Sequence, residues 1–290
     1  MRIAVHGKQY ESSLKGAVEE FFNLLKKNRF EIVVSESFQP YLHDFASSSN
    51  LSTYSMSKGL EDVHFMFTLG GDGTILEAVT HIGPREIPII GINMGRLGFL
   101  ATIGMDKMDY AISQIVNNKF TLDKRVLLRL EEGSEFFPGA PFALNDFTIV
   151  KKDTSSMIVV HTYVNNEFLN SYWADGLIIS TPTGSTGYSL SCAGPLVLPH
   201  SSNFIINPVS PHNLNVRPMV LGDNSVLSFK IDARIENVLV SLDSRSVTVP
   251  ASTEFTIKKE SFHACLVKFD GYHPFDTLRQ KLLWGQDVRN

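Results

Sequence analysis

The chain has 290 residues, 43% of them apolar, and its 26 Lys and Arg against 30 Asp and Glu give a formal net charge of −4. That length buries a core sufficient for one large domain or two, and the charge, without any Lys/Arg block, gives no footing for a nucleic-acid partner. No segment is apolar for the length of a membrane span or a secretory leader, and Cys192 and Cys265 lie far apart without metal-ligand spacing, so a soluble cytoplasmic protein with reduced cysteines is expected.

The first third alternates strand and helix. Arg2 to Val5 predicts a strand, and Leu14, Ala17, Val18, Phe21, Leu24 and Leu25 form an apolar helical face that ends near Asn28. Glu31 to Val34 predicts a second strand, and residues 46–59, rich in Ser, Asn and Thr, a mobile surface loop. Phe65 to Leu69 is a short apolar run closed by glycine, which predicts a buried strand. Thr74 with Glu77 three residues on fits a capping box, so a helix is expected over about 74–81. A strand at Ile87 to Ile92 and a helix near 106–117, begun by Asp106, complete an α/β region with a parallel sheet.

Between that strand and helix lies Gly70-Gly71-Asp72-Gly73-Thr74. Glycines let backbone N–H groups converge on an anion, and a helix amino terminus favours negative charge. A carboxylate at the centre of such a cradle repels phosphate. Asp72 therefore makes sense as the acceptor of a proton from a hydroxyl, or beside a metal ion on the phosphates, and this points to phosphoryl transfer onto an alcohol. As a bare turn or capping residue, Asp72 would have no chemistry. No G-x-x-x-x-G-K-[ST] occurs, and Leu76 stands where a dinucleotide-binding fingerprint wants a small residue.

Beyond about residue 120 short β-branched and aromatic runs take over, namely Val126–Leu130, Phe142–Val150, Met157–Val164, Leu177–Ser180, Val226–Ile231, Val238–Leu242, Phe255–Ile257 and Leu266–Phe269. That texture predicts a β-sandwich. Phe275, Leu278, Leu282 and Leu283 then place one apolar helical face at the carboxyl end, expected to dock back on the first domain. The predicted domains are 1–120 with 274–290, and 121–273.

Within the β region, the strand before Ser180 runs into a stretch of hydroxyls punctuated by Pro182, Gly184 and Gly187. Such a run is either a polar surface loop or a set of neutral donors for ribose, amide or phosphate. Asn145-Asp146, at the mouth of an apolar strand, reads as an Asx-turn or as a grip on an amide edge or a diol. His212 and Arg217 either supply positive charge to phosphates or serve as structural residues.

Together these blocks resemble the NAD kinase family. The matching blocks are Gly70 to Thr74, Gly91 to Leu100, Asn145-Asp146, Asp175-Gly176 with Ser180 to Tyr188, and the closing Lys281-Leu282-Leu283-Trp284. The first block is shared with diacylglycerol-type lipid kinases; the hydroxyl-rich block is far more specific.

The resemblance implies that Asp72 takes the proton from the adenosine 2′-hydroxyl of NAD as it attacks the γ-phosphoryl of ATP, giving NADP. It implies that Gly70, Gly71, Gly73 and Thr74 hold the donor phosphates, with Mg²⁺ carried on ATP and no direct protein ligand. Asn145 and Asp146 would hold a ribose diol, Asp175 a nicotinamide or adenine group, and Phe99 would pack on a ring. Thr183, Thr186, Gly187, Tyr188, Ser189, Leu190 and Ser191 would line the adenine end, with Gly73 also near NAD and Arg96, His212, Arg217 and Arg245 as further candidates. A homotetramer or homodimer is implied, without a membrane partner.

Three departures stand out: Asp146 where glutamate is more usual, Gly187 for alanine, and Asp243-Ser244-Arg245 for a common Asp-Gly-Gln turn, which weakens a site role for Arg245. The rival readings are a lipid or sphingoid kinase on the same glycine turn, and a sensor that binds NAD without turnover.

Overall fold

The computed structural model describes residues 1–42, 51–56, 58–152, 156–271 and 273–283. The chain divides into two compact units, Met1–Lys124 with Ala264–Asn290, and Arg125–His263.

The first unit is an α/β layer structure. Strands β1 (Arg2–Gly7), β2 (Glu31–Ser35), β3 (Ser52–Tyr54), β4 (Phe65–Leu69) and β5 (Ile89–Asn93) lie in the order β5-β4-β1-β2-β3, and β6 (Ile103–Gly104) pairs with β5. Every pairing among them is parallel. Chain order runs outward one way through β2 and β3 and the other way through β4 and β5. The reversal falls between β1 and β4, the position where open α/β sheets bind ligands.

Helix α1 (Lys15–Lys27) buries Val18, Phe21, Phe22 and Leu25, spaced at three and four residues as one helical stripe. It ends at Asn28, whose side-chain amide donates to the Leu24 carbonyl at 2.9 Å. The expected loop over 46–59 contains β3; its residues 46–50 and 57 lie outside the described residues. Ser, Asn and Thr composition concealed this strand because only Tyr54 of its three residues is buried.

Helix α2 (Asp72–Ile82) starts two residues earlier than the capping-box signal predicts. Gly71 is its N-cap, no side chain caps it, and Glu77 pairs with Lys8 and His6 instead. An ion pair with a neighbouring strand end outcompetes the local cap. A 3₁₀ turn (Met105–Lys107) leads into α3 (Met108–Val116), so Asp106 precedes the helix proper.

The second unit is a β-sandwich. Its strands are β7 (Thr121–Leu130), β8 (Phe142–Ala143), β9 (Asp146–Lys151), β10 (Ile158–Val164), β11 (Glu167–Ala174), β12 (Gly176–Ser180), β13 (Asn203–Val209), β14 (Met219–Gly222), β15 (Leu227–Asp232), β16 (Asn237–Leu242), β17 (Arg245–Pro250) and β18 (Phe255–Lys268), with helix α4 (Tyr188–Ser191) between β12 and β13. One layer runs β14-β13-β12-β9-β16-β17; the other contains β11, β10, β15, the start of β18, and β7 with β8. Alternate residues such as Phe147 and Ile149, Leu177 and Ile179, Phe204 and Ile206 fill the core against Ile158, Val160, Phe229 and Phe255.

The expected strand Phe142–Val150 is broken at Leu144-Asn145, and the two short runs at 255 and 266 are one strand, β18. Strands β11, β13, β14 and β17 were not expected. Two of them follow tight turns with left-handed residues, Asn165-Asn166 (φ 51° and 68°) before β11 and Asp243 (φ 54°) before β17. Those turns are hairpin signals that polar strands obscured.

The chain closes on α5 (Pro274–Leu282), which belongs to the first unit. The expected apolar face is only partly used. Phe275 and Leu283 are exposed, Leu278 and Leu282 half-buried, and Thr277 is buried. Trp284 lies outside the described residues.

Candidate active site

The glycine turn leaves β4 and enters α2 without a gap. A Cβ on Gly70 would lie 2.2 Å from Thr74 Oγ1, so the turn closes this tightly only with glycine there, whereas Gly71 and Gly73 face open space and leave their backbone accessible. A cavity of about 450 Å³ opens here, lined among others by Gly70, Gly71, Thr74 and Gly95.

Asp72 is half-buried, and backbone N–H groups surround its carboxylate. Oδ1 accepts from Leu100 and Ala101, each at 2.9 Å, and Oδ2 from Phe99 at 2.8 Å. A carboxylate offers about four lone-pair sites, so one remains, on Oδ2. Three donors fix the group's orientation, and the remaining site can take a hydroxyl.

The segment 98–101 is held in turn by Asn93. Its amide nitrogen donates to the Arg96 and Ala101 carbonyls at 2.9 and 3.2 Å, and its oxygen accepts from the Gly95 N–H at 2.7 Å. A Cβ on Gly98 would fall 1.9 Å from Asp72 Oδ1. Asn93 and Gly98 are thus residues of this site that sequence reasoning passed over. Their signal was the run Gly91 to Leu100, too dense in glycine for an ordinary connection. Arg96 itself is exposed, and the Phe99 ring lies 5.7 Å from the Lys281 ammonium.

In the second unit the turn Leu144-Asn145-Asp146 is built on another carboxylate. Asp243, half-buried, accepts from the N–H groups of Leu144 (2.9 Å), Asn145 (2.7 Å) and Asp146 (3.2 Å). The Asp146 side chain is buried beside it, and burial, reinforced by the Asp243 charge, pushes its carboxyl up to about 8. Asn145 Oδ1 is buried without a hydrogen-bond partner. An orphaned acceptor of that kind is costly unless a ligand donor meets it.

Ser180 to Ser191 is not a polar surface loop. Ser180, Thr181, Thr183, Ser185 and Ser189 are buried, and a 3₁₀ turn (Thr183–Thr186) leads into α4. Several hydroxyls hold the segment itself: Ser185 Oγ donates to the Pro182 carbonyl at 2.7 Å and Thr186 Oγ1 to the Thr183 carbonyl at 3.1 Å, while Arg125 donates to Thr183 Oγ1 at 3.1 Å. The buried Ser189 Oγ accepts from Asn207 at 3.2 Å, and Leu190 and Ser191 follow it in α4.

The folded segment brings Gly187 to Asn145 and Asp146; a Cβ there would lie 3.4 Å from Asn145 Nδ2 and 3.6 Å from Asp146 Oδ2. Tyr188, the next residue, is exposed, and its phenol is raised by what burial it has and then by Cys192, Asp146 and Asp175. Asp175 is half-exposed and pairs with Lys151 at 2.7 Å. Both cysteines are free.

The remaining basic candidates are occupied or turned out. Arg245 donates to the Ala140 and Phe142 carbonyls and stacks on Phe137, so its charge supports the turn. His212 and Arg217 are exposed, and Arg217 donates to the Leu214 and Val216 carbonyls.

A parallel sheet with a glycine turn and oriented carboxylate at its switch point, joined in one chain to a β-sandwich, defines a two-unit protein of the glycine-turn kinase class. The family follows from comparison with known proteins. The sequence model of the ATP-NAD kinase N-terminal domain matches residues 3–120, and that of the ATP-NAD kinase C-terminal domain matches residues 144–273. The chain belongs to the NAD kinase family. An NAD kinase of Cytophaga hutchinsonii is 45% identical over 292 residues and one of Flavobacterium psychrophilum 44% over 294, with the whole of each chain covered. Among solved structures, an NAD kinase from Archaeoglobus fulgidus in complex with ATP aligns with a TM-score of 0.78 at 26% identity, over 98% of this chain and 99% of that one. Yeast NADH kinase complexed with NADH shares the fold, with a TM-score of 0.89 at 22% identity over 100% of this chain and 89% of that one.

Proposed function

We propose that the protein is an NAD kinase that transfers the γ-phosphoryl of ATP to the 2′-hydroxyl of the adenosine ribose of NAD, giving NADP. The observation that carries this reading is the Asp72 carboxylate, oriented by three N–H donors with one lone-pair site left on Oδ2. That site accepts the 2′-hydroxyl, aligns its oxygen and takes its proton as the bond to phosphorus forms. Phosphoryl transfer depends on positioning and charge neutralisation more than on covalent chemistry, so an orienting carboxylate suits it.

The backbone N–H groups at Gly71 and Gly73 and the start of α2 receive the donor phosphates. Asn145 Oδ1 meets a ribose hydroxyl, and Asp146, still protonated near pH 7, offers the diol both a donor and an acceptor. Thr183, Thr186 to Ser191 and Asp175 complete the dinucleotide's surroundings. Among the described residues no cluster of three or more His, Cys, Asp or Glu forms a metal cage, and three of Asp72's four lone-pair sites are taken. The residues fit Mg²⁺ arriving on ATP, where it neutralises phosphate charge.

No described helix is long and apolar enough to cross a membrane, and we assign the enzyme to the cytoplasm. We also assign a homo-oligomer, dimer or tetramer. Exposed Trp173 and Leu214 support it, on segments joined by the His212 N–H to the Trp173 carbonyl at 2.8 Å. Sedimentation velocity tests this; a monomer at micromolar concentration removes it. The activity is tested by NADP formation from NAD and Mg-ATP, with a diacylglycerol as rival acceptor. Phosphorylation of lipid but not NAD would establish the lipid kinase reading instead, and NAD binding without turnover the sensor reading.

A further inference from the structure

Lys8 is the first residue after β1, whose last residue, Gly7, pairs with Leu69 at the end of β4. It therefore stands opposite Gly70, across the place where strand order reverses. The cavity of about 450 Å³ at the glycine turn is bounded by both strand ends, and Lys8 is the single cation among its described lining residues. A glycine turn and a helix terminus offer neutral N–H donors and a partial charge. A triphosphate brings several full negative charges, and a flexible ammonium at the cavity edge supplies what the backbone lacks.

In this structure Lys8 Nζ is 2.9 Å from Glu77 Oε2 on α2, and its side chain is half-exposed. Glu77 keeps a second partner, since its Oε1 is 3.7 Å from Nε2 of the fully buried His6. That imidazole is fixed by Ser35 Oγ at 2.9 Å from Nδ1, and its Nε2 has no hydrogen-bond partner. His6 first and Lys8 second hold the Glu77 carboxyl down to about 2, so it remains a charged partner at any working pH. Losing Lys8 leaves Glu77 braced by His6.

We propose that Lys8 is a substrate-contacting residue of the donor site, resting on Glu77 and moving to a phosphate oxygen of the triphosphate when it binds. This rests on reading the glycine turn as the donor-phosphate cradle.

The test compares wild type with Lys8→Met, Lys8→Arg and Glu77→Gln. Mg-ATP affinity is measured by calorimetry without NAD, and KM for each substrate by NADP formation. Lys8→Met should weaken Mg-ATP binding and raise the KM for ATP by roughly tenfold or more, the scale of one charge-assisted hydrogen bond, with the KM for NAD unchanged. Lys8→Arg should restore most of the affinity, and Glu77→Gln should bind Mg-ATP at least as tightly as wild type. Affinity and KM for ATP within twofold of wild type in Lys8→Met would overturn the proposal. A tenfold loss in Glu77→Gln would overturn the resting-partner role. If wild type forms no NADP yet Lys8→Met still loses Mg-ATP affinity, the NAD kinase reading fails and the Lys8 assignment stands.

Discussion

Two turns in this molecule, one in each unit, share a construction and differ in purpose. Asp72 collects the N–H groups of Phe99, Leu100 and Ala101; Asp243 collects those of Leu144, Asn145 and Asp146. In both, a carboxylate from a distant segment organises three consecutive backbone donors. Asp72 is half-buried beside an open turn and keeps a lone-pair site for an outside hydroxyl. Asp243 is half-buried as well, and desolvation pushes its carboxyl up despite the three donors. Under the proposed function the first arrangement meets a ligand directly, whereas the second orders the turn that carries the buried Asp146.

The sharpest way to break this contrast is Asp72→Asn. The amide keeps size and one acceptor oxygen but cannot take a proton. NADP formation should fall by about 10²–10⁴ with calorimetric NAD affinity little changed. Unaltered turnover would remove Asp72 from the chemistry and leave it a second Asp243. The counterpart, Asp243→Ala, should act on stability. Three backbone donors would lose their acceptor in a partly buried setting, at a cost of about 2 kcal/mol, read as a lower denaturant midpoint and a raised KM for NAD. A variant as stable as wild type would show that water reaches those N–H groups.

Much of this was legible in the sequence for the first unit and less for the second. Apolar runs such as Phe65–Leu69 coincide with β4 because a buried parallel strand is apolar on both faces. The sandwich strands β11 and β17 alternate or face solvent, and their runs are broken by polar residues. The glycine turn announced itself locally. Its partner segment, 98–101, lies about 27 residues away in sequence, and the bonds from Phe99 to Asp72 are tertiary facts. The same holds for Asp243, some 98 residues from Asn145. The hydroxyl-rich stretch was visible as composition, yet nothing local indicated that Thr183 and Ser185 would be buried and bonded within the protein.

The pH dependence sharpens the contrast from the second unit. Asp146 carries a folded pKa near 8, raised by burial first and Asp243 second, against an ordinary value of 3.8. A raised folded value means the neutral acid is the stable form. Its contribution is whole below about pH 4 and is lost as pH rises through 8. Asp146→Asn removes the titration, so its melting temperature relative to wild type should climb between pH 5 and 9 by about 2–4 °C per unit at the steepest. A flat difference would mean that Asp146 is ionised throughout and holds the diol as a pure acceptor.

The same small substitution, glycine to alanine, separates the two turns most finely. At Gly98 the added carbon would sit 1.9 Å from Asp72 Oδ1 and 2.7 Å from its Cγ, so the carboxylate must leave its three donors. NADP formation should drop about tenfold to a hundredfold, with a lower melting temperature as well, because Leu100 and Ala101 are buried and their N–H groups would lose their acceptor. At Gly187 the carbon would meet the Gly184 carbonyl at 3.2 Å and Asn145 Nδ2 at 3.4 Å, distances that neighbours relieve by a few tenths of an ångström. Its φ of −97° is open to alanine. Gly187→Ala should therefore shift the KM for NAD by less than about threefold, the scale of a few tenths of a kcal/mol in contact strain. A tenfold rise would mean that the pocket wall beside Asn145 and Asp146 has as little slack as the carboxylate cradle at Asp72, and that the second turn grips its ligand by shape as much as by hydrogen bonds.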